Sequence, residues 1–178
     1  MQLTAALLDL CKGNAKSVIA IDGPAGAGKT TLAGNLALAL SQDISVHVIH
    51  MDDLYDGWDN ALGPQLSETL HHIVKTHKSG EQVSFSRYNW AESSFMDAHA
   101  IPAADLIILE GVGSGQGAIR DELAALIWID IDHSLGLERV ISRDGQSIKP
   151  QMQKWLAQQE QHFAREGTQN AADFILTT

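Results

Sequence analysis

The stretch VIAIDGPAGAGKTTLAGNLALAL, Val18 to Leu40, sets one lysine among glycines where two kinds of pattern meet. Upstream, SVIAID is a short apolar run with β-branched residues, the mark of a buried strand. Downstream, KTTLAGNLALALS is rich in Ala and Leu and reads as a helix. Between them GPAGAGKT, Gly23 to Thr30, satisfies G-x-x-x-x-G-K-[ST] in the strand-to-helix context that gives this pattern its meaning. Glycines let backbone N–H groups turn inward to form an anion-binding concavity, and the helix start adds its positive dipole end. Lys29 is placed to reach the β- and γ-phosphates of a nucleotide, and the Thr30 hydroxyl to ligate Mg²⁺. The residues expected to hold ATP with Mg²⁺ are therefore Gly23, Pro24, Ala25, Gly26, Ala27, Gly28, Lys29, Thr30 and Thr31.

Working outward, the 178 residues fit one domain with a real core, and no apolar run approaches a membrane span. A formal charge of −10 argues against nucleic acid or an anionic membrane as partner, although a nucleotide needs only a local positive pocket. The single Cys11 rules out an internal disulfide and suits a reducing cytoplasm. The opening MQLTAALLDLCKGNAK has no basic segment followed by a long apolar one, so it reads as a short amphipathic helix and not a secretory signal. A cytoplasmic protein acting on a small molecule is expected, with its oligomeric state, homodimer included, left open.

Further strands are VHVIHMD, LIILEG, ALIWIDID and the terminal ADFILTT, alternating with helices that include SLGLERVISRDG and KPQMQKWLAQQEQHFAREG. In the last helix Met152, Trp155, Leu156 and Phe163 fall on roughly one face. Continuous apolar strands alternating with helices imply a parallel sheet covered on both sides. Residues 54–104 interrupt this rhythm with a helix-like PQLSETLHHIVKTHKSG and a strand-like QVSFSRYNW. An insertion beyond the carboxyl ends of parallel strands is where such sheets place substrate-binding parts.

The same geometry brings HMDDLY, after the second strand, and LEG, after the third, beside the glycine loop. Phosphoryl transfer needs a metal to neutralise charge and a carboxylate to orient or deprotonate the attacking hydroxyl. Glu110 suits the metal-side role, and Asp52 the catalytic one, with its neighbour Asp53 as the alternative. No N-K-x-D guanine-reading motif or D-x-x-G switch occurs, which disfavours a GTPase; the short chain lacks the parts of an ATPase motor.

IDGPAGAGKTTLA, HMDDLYDGW, LIILEGVGSG, ERVISRD and ADFILTT together resemble the uridine kinase and phosphoribulokinase-related branch of P-loop kinases, above all short bacterial uridine-kinase-like proteins. The resemblance covers nearly the whole chain. It implies an α/β three-layer sandwich, a P-loop NTPase fold with five parallel strands in the order 2-3-1-4-5, and a lid at about 139–150. It also implies that Asp52 is the base towards the acceptor hydroxyl, Tyr55 its aromatic neighbour, and Glu110 a holder of Mg²⁺. Arg139 and Arg143 match the lid arginines that clasp phosphates. Uridine kinases grip the nucleoside with a His and an Arg that have no counterpart after RYNWAESSF, and the lid RDGQSIKPQ is poor in arginine. Arg87 and Tyr88 are the remaining candidate acceptor contacts.

His71, His72 and His77 read as a solvated helix face, because adjacent histidines on a helix diverge by about 100° and no acid or Cys sits at ligand spacing. Trp58, Trp90 and Trp128 read as core or lid packing, with Trp58 and Trp90 also able to stack on a planar substrate. The expected activity is transfer of the ATP γ-phosphate to a hydroxyl of a small metabolite, a nucleoside first. A nucleoside monophosphate kinase is the alternative, short of arginines in the insertion, and a nucleotide-binding regulator without an acceptor is another.

Overall fold

Six consecutive buried residues, Ser17–Asp22, form β1, the middle strand of the molecule. The computed structural model describes residues 3–13 and 15–178; Met1, Gln2 and Asn14, part of the amino-terminal stretch read above, lie outside the described residues. β1 is flanked in parallel by Leu106–Glu110 (β5) and Ala125–Asp130 (β6). Val46–His50 (β2) extends the sheet beyond β5, and Phe174–Thr177 (β7) extends it beyond β6. The order β2-β5-β1-β6-β7 is 2-3-1-4-5 when the strands of this sheet alone are counted along the chain. β1 and β5 are buried throughout, and β6 in all but its last residue, so they read as unbroken apolar runs.

Helices cover both faces. On one, Leu7 and Cys11 of α1 (Leu3–Lys12) and Ala33, Leu36 and Leu40 of α2 (Lys29–Leu40) pack with Ile19, Ile21 and Ile108 of the sheet. On the other, α3 (Pro64–Lys78), α5 (His133–Asp144) and α6 (Lys149–Glu166) bury Leu70, Ile73, Val140 and Trp155 with Val18, Ile107 and Leu109. A one-turn helix, α4 (Gly117–Arg120), follows the glycine-rich loop after β5. Among the described residues no helix is long and apolar enough to cross a membrane.

The insertion holds α3 and a separate antiparallel hairpin of β3 (Val83–Asn89) and β4 (Ser94–Ile101). β3 answers the expected strand, but β4 has no counterpart in the sequence reading. Of its eight residues only Ile101 is buried, so no apolar period marks it. His77 corrects the solvated-face reading: it is 1% exposed, and its Nε2 donates to the Ser17 carbonyl at 2.9 Å. The buried row Leu66, Leu70, Ile73 and Val74 runs on at helical spacing to His77, whereas His71 and His72 stay exposed. Burial holds the His77 imidazole below its ordinary pKa. The face of α6 is likewise corrected. It buries Met152, Trp155, Gln159 and His162, while Leu156 and Phe163 are only half-buried.

Two close approaches fix the glycine loop against its neighbours. Gly23 has φ 140°, and a Cβ there would lie 2.3 Å from the Ile129 carbonyl oxygen of β6. Gly136, in α5, would set a Cβ 2.7 Å from the Ala25 carbonyl oxygen, so helix and loop touch backbone to backbone. Asp22 ties the loop from the other side. Its fully buried carboxylate accepts from the N–H of Gly23 at 2.7 Å, of Gly113 at 3.1 Å and of Gly115 at 2.8 Å. Burial nevertheless outweighs these bonds and the Lys29 charge, pushing the Asp22 pKa up to about 6 from an ordinary 3.8.

Replacing a helical glycine by alanine ordinarily stabilises by about 1 kcal/mol. Gly136→Ala is expected to do the reverse, because the Ala25 carbonyl blocks the new methyl. A net loss of ~1–3 kcal/mol, about 2–10 °C in Tm, follows from forcing that contact; a raised Tm would show that loop and helix can part freely. For Asp22 the folded pKa lies above the unfolded one, so the folded state holds the extra proton between about pH 4 and 6. Its stability contribution is therefore present at low pH and lost as pH rises through about 6, on the order of 3 kcal/mol in all. In thermal melts at stepped pH, the Tm advantage of the wild type over Asp22→Asn should shrink across that window. A flat or rising difference would mean that the three amide bonds outweigh burial.

Candidate functional site

A cavity of about 360 Å³ opens where β1, β2 and β5 end, roofed by α5 and the start of α6. Its floor is the glycine loop, with Ala25, Gly26, Gly28, Lys29, Thr30 and Thr31 in the lining. Gly26 (φ 79°) and Gly28 (φ 92°) adopt left-handed conformations that side chains resist, and Gly28 caps α2 directly. The loop therefore delivers its amides and the α2 dipole to one point. Lys29 is buried, and its Nζ donates to the carbonyls of Gly23 and Pro24, each at 2.8 Å. Burial lowers its pKa, opposed by the carboxylates of Asp22, Glu110 and Asp52.

The end of β5 supplies the acid. Glu110, 5% exposed, accepts from the Thr30 hydroxyl through both carboxylate oxygens, at 3.1 and 3.2 Å, and is in close contact with His50 Nδ1 from the end of β2. A carboxylate and a hydroxyl side by side beneath an amide cradle are the hard oxygen donors that Mg²⁺ takes, with room for its waters in the open cavity. Asp52 lies in the 3-10 turn Met51–Asp53 that follows β2. It faces the open cavity with its side chain accessible, and crowding by the surrounding protein and the neighbouring Glu110 raise its pKa, against the pull of Lys29 and Arg143. A carboxyl made more basic in this way is a better proton acceptor.

The adjacent acid takes a different direction. Asp53 pairs with Arg87 Nε at 3.5 Å, and neither lines the cavity. Tyr88 is also outside the lining; it packs edge-on against Trp90 and Phe95. Tyr55 is buried in the cavity wall, its hydroxyl donating to the Val112 carbonyl at 2.8 Å, and burial raises its pKa well above the ordinary phenol value. Arg139 and Arg143 both reach the cavity from α5. Arg139 donates to the Gly26 carbonyl at 3.4 Å and the Thr178 hydroxyl at 3.2 Å, while Arg143 is paired with Asp144 at 2.7 Å.

Several members of the site escape the sequence reading. Asp22 ends an apolar strand, and that one signal was available. His50 precedes the acidic pair but shows no motif. Gln159 sits in a polar helix, yet it is buried and its Oε1 accepts from the Ala25 amide at 3.0 Å, so α6 grips the glycine loop directly. Trp155, placed by its spacing on one face of the last helix, lines the cavity together with Trp58 and Trp90. Trp128 is buried and meets Phe163 edge to face at 4.7 Å, away from this lining.

Comparison with known proteins bears on the family and the fold. A model of the Phosphoribulokinase / Uridine kinase family matches residues 60–165. A uridine kinase of Lactobacillus johnsonii is 27% identical over 184 residues, spanning 89% of this chain and 85% of the relative. Among solved structures, a possible uridine kinase from Bacillus stearothermophilus superposes with a TM-score of 0.63 at 22% identity, covering 99% of this chain and 100% of that one. A shikimate kinase from Bacteroides thetaiotaomicron gives 0.51 at 17% identity, over 90% and 85% of the two chains. These structural likenesses speak for the α/β P-loop fold, and the family match extends over more than half of the chain. The chain belongs to the phosphoribulokinase and uridine kinase family of P-loop kinases.

Proposed function

We propose that this protein transfers the γ-phosphate of ATP to a hydroxyl of a small metabolite, with a nucleoside as the leading acceptor. The observation that carries this reading is that Asp52 and the Lys29–Thr30–Glu110 group line one cavity. A phosphate held by the loop and a hydroxyl approaching Asp52 would then be neighbours. The uridine kinase relative at 27% identity supports the nucleoside as the first acceptor to test.

The residues present fit a magnesium-bound triphosphate. The amides of Gly28 to Thr31 and the Lys29 ammonium would hold the phosphates, and Thr30 with Glu110 would hold the ion. Mg²⁺ when bound would neutralise charge on the transferred group. Asp52 accepts the proton of the acceptor hydroxyl, aided by its raised basicity. Tyr55 shapes the wall beside it, its hydroxyl spent on Val112. Arg139 and Arg143 close over the phosphates from α5, which requires Arg143 to loosen its pairing with Asp144. Closure also excludes water, limiting hydrolysis of ATP. The setting is a cytoplasmic one, with a small-molecule acceptor and no nucleic acid or membrane partner.

A phosphorylated acceptor is less well served, because Arg87, the insertion's arginine, is paired with Asp53 and stands outside the cavity. The regulator reading rests on the committed state of both lid arginines. ADP release with Mg·ATP across nucleosides, nucleotides and hydroxyl-bearing vitamins separates these readings; ATP binding without any acceptor-dependent release would favour the regulator. With the acceptor in hand, Asp52→Asn should lower kcat about 10²–10⁴-fold while leaving ATP affinity nearly unchanged. Turnover at the wild-type rate would remove Asp52 from the base role.

A further inference from the structure

Gln159 stands in the polar helix α6, yet it is 2% exposed, and its side chain reaches a residue 134 positions earlier in the chain. Its Oε1 accepts from the Ala25 N–H at 3.0 Å. The oxygen must be the atom turned to the loop, because the amide nitrogen of a glutamine cannot accept. Two ring contacts fix where this side chain starts. Four residues before it, Trp155 packs on Tyr55 with 5.3 Å between centroids; four residues after it, Phe163 meets Trp128 at 4.7 Å. Residues four apart share one face of a helix, so Gln159 is held between two seated rings.

The N–H that Gln159 holds belongs to the Pro24–Ala25 peptide, and the other end of that peptide holds the lysine. The Pro24 carbonyl accepts from Lys29 Nζ at 2.8 Å, and the Gly23 carbonyl accepts from it at the same distance. One planar group therefore connects Gln159 Oε1, through its N–H and C=O, to the Lys29 ammonium. Hydrogen bonds at the two ends of one amide polarise it in the same sense and reinforce each other. An ammonium has three N–H donors. With two on loop carbonyls, the third is left for the cavity that Lys29 lines, and the two carbonyls set its direction. The next peptide is confined as well: a Cβ on Gly136 would lie 2.7 Å from the Ala25 carbonyl oxygen.

On the reading that the loop holds ATP, we propose that Gln159 is a positioning residue for Lys29: it fixes the Pro24–Ala25 peptide, whose carbonyl aims the ammonium at the phosphates. Gln159 does not line the cavity and touches no nucleotide; it acts through the peptide. An apolar side chain of the same length would leave the Ala25 N–H without its acceptor, and an unpaired buried N–H is costly. The peptide would turn towards another acceptor and carry the Pro24 carbonyl off Lys29. Nucleotide affinity thus depends on a hydrogen-bond acceptor in the middle of α6.

The test is calorimetric titration with Mg²⁺ and a non-hydrolysable ATP analogue, on variants that melting curves show to be folded. Gln159→Met, of similar length but without an acceptor, should weaken binding by about tenfold. Gln159→Glu keeps an acceptor and makes a charge-assisted bond to the Ala25 N–H, so it should bind more tightly than Gln159→Met. Lys29→Met weakens binding by itself, and adding Gln159→Met to it should cost less than about twofold more, because no ammonium is left to aim. A role confined to supporting the loop would give the same loss in both backgrounds, and that result would overturn the proposal. So would Gln159→Met binding like the wild type, or Gln159→Glu binding no better than Gln159→Met. Where Lys29→Met binds too weakly to titrate, the comparison of Glu with Met decides alone. The titration needs no acceptor, so it is read whichever hydroxyl compound the protein uses. No binding by the wild type would remove the ATP reading and this proposal with it; equal binding by wild type and Gln159→Met would remove this proposal alone.

Discussion

The buried carboxylate of Asp22 is the interaction on which the site depends. It stands at the end of the central strand, with the glycine loop beginning at the next residue and the loop after β5 beside it. Glycine amides from both loops converge on it, one from Gly23 and two from Gly113 and Gly115. Donor loop and cavity wall are thus held by one side chain, and Val112, between Glu110 and those amides, takes the Tyr55 hydroxyl. An anion without solvent is costly, and the Asp22 pKa near 6 records that cost. The Lys29 ammonium, which favours the ionised form, partly offsets it. The loop is set by a charge arrangement as well as by glycine flexibility.

That arrangement also constrains what can enter. Asp22, Asp52 and Glu110 all act on Lys29, while Arg139 and Arg143 stand at the rim. Around the loop, negative and positive side chains come close to balance, in a protein whose formal charge is −10. A triphosphate adds several negative charges to such a place. Lys29 and the loop amides alone would leave Glu110 repelling it, so the proposed function calls for a divalent cation, which Thr30 and Glu110 would hold.

How much of this was legible in the sequence follows from what kind of signal each part leaves. β1, β5 and β6 are buried on both faces, so their apolar runs are unmistakable, and in GPAGAGKT the glycines answer to positive φ at Gly23, Gly26 and Gly28. β4 leaves no such signal, because it is held by pairing with β3 while its side chains face solvent. His77 was misplaced, and Gln159 passed over, for a related reason. Polar residues are read as surface, yet Gln159 and His77 are buried against backbone groups that need a partner, Ala25 N–H and Ser17 C=O. Asp52 and Asp53 could not be told apart by spacing, since neighbours necessarily diverge. Only the fold shows that one turns to the cavity and the other to Arg87.

α6 shows how the parts are mechanically joined. Near its start Met152 and Trp155 stand in the cavity wall; one turn on, Gln159 holds the Ala25 amide; at its end Glu166 accepts from the Gly117 amide at 2.8 Å. These contacts lie along an 18-residue helix, a far stiffer element than the loops it touches. Trp155 in the cavity wall and Gln159 on the glycine loop therefore belong to the same rod. α5 and the 3-10 turn Gln146–Ile148 lead directly into that rod through Lys149. The glycine loop, the cavity wall and the α5 segment above it are for this reason all tied to one stiff element, through which the closure called for by the proposed reaction would act.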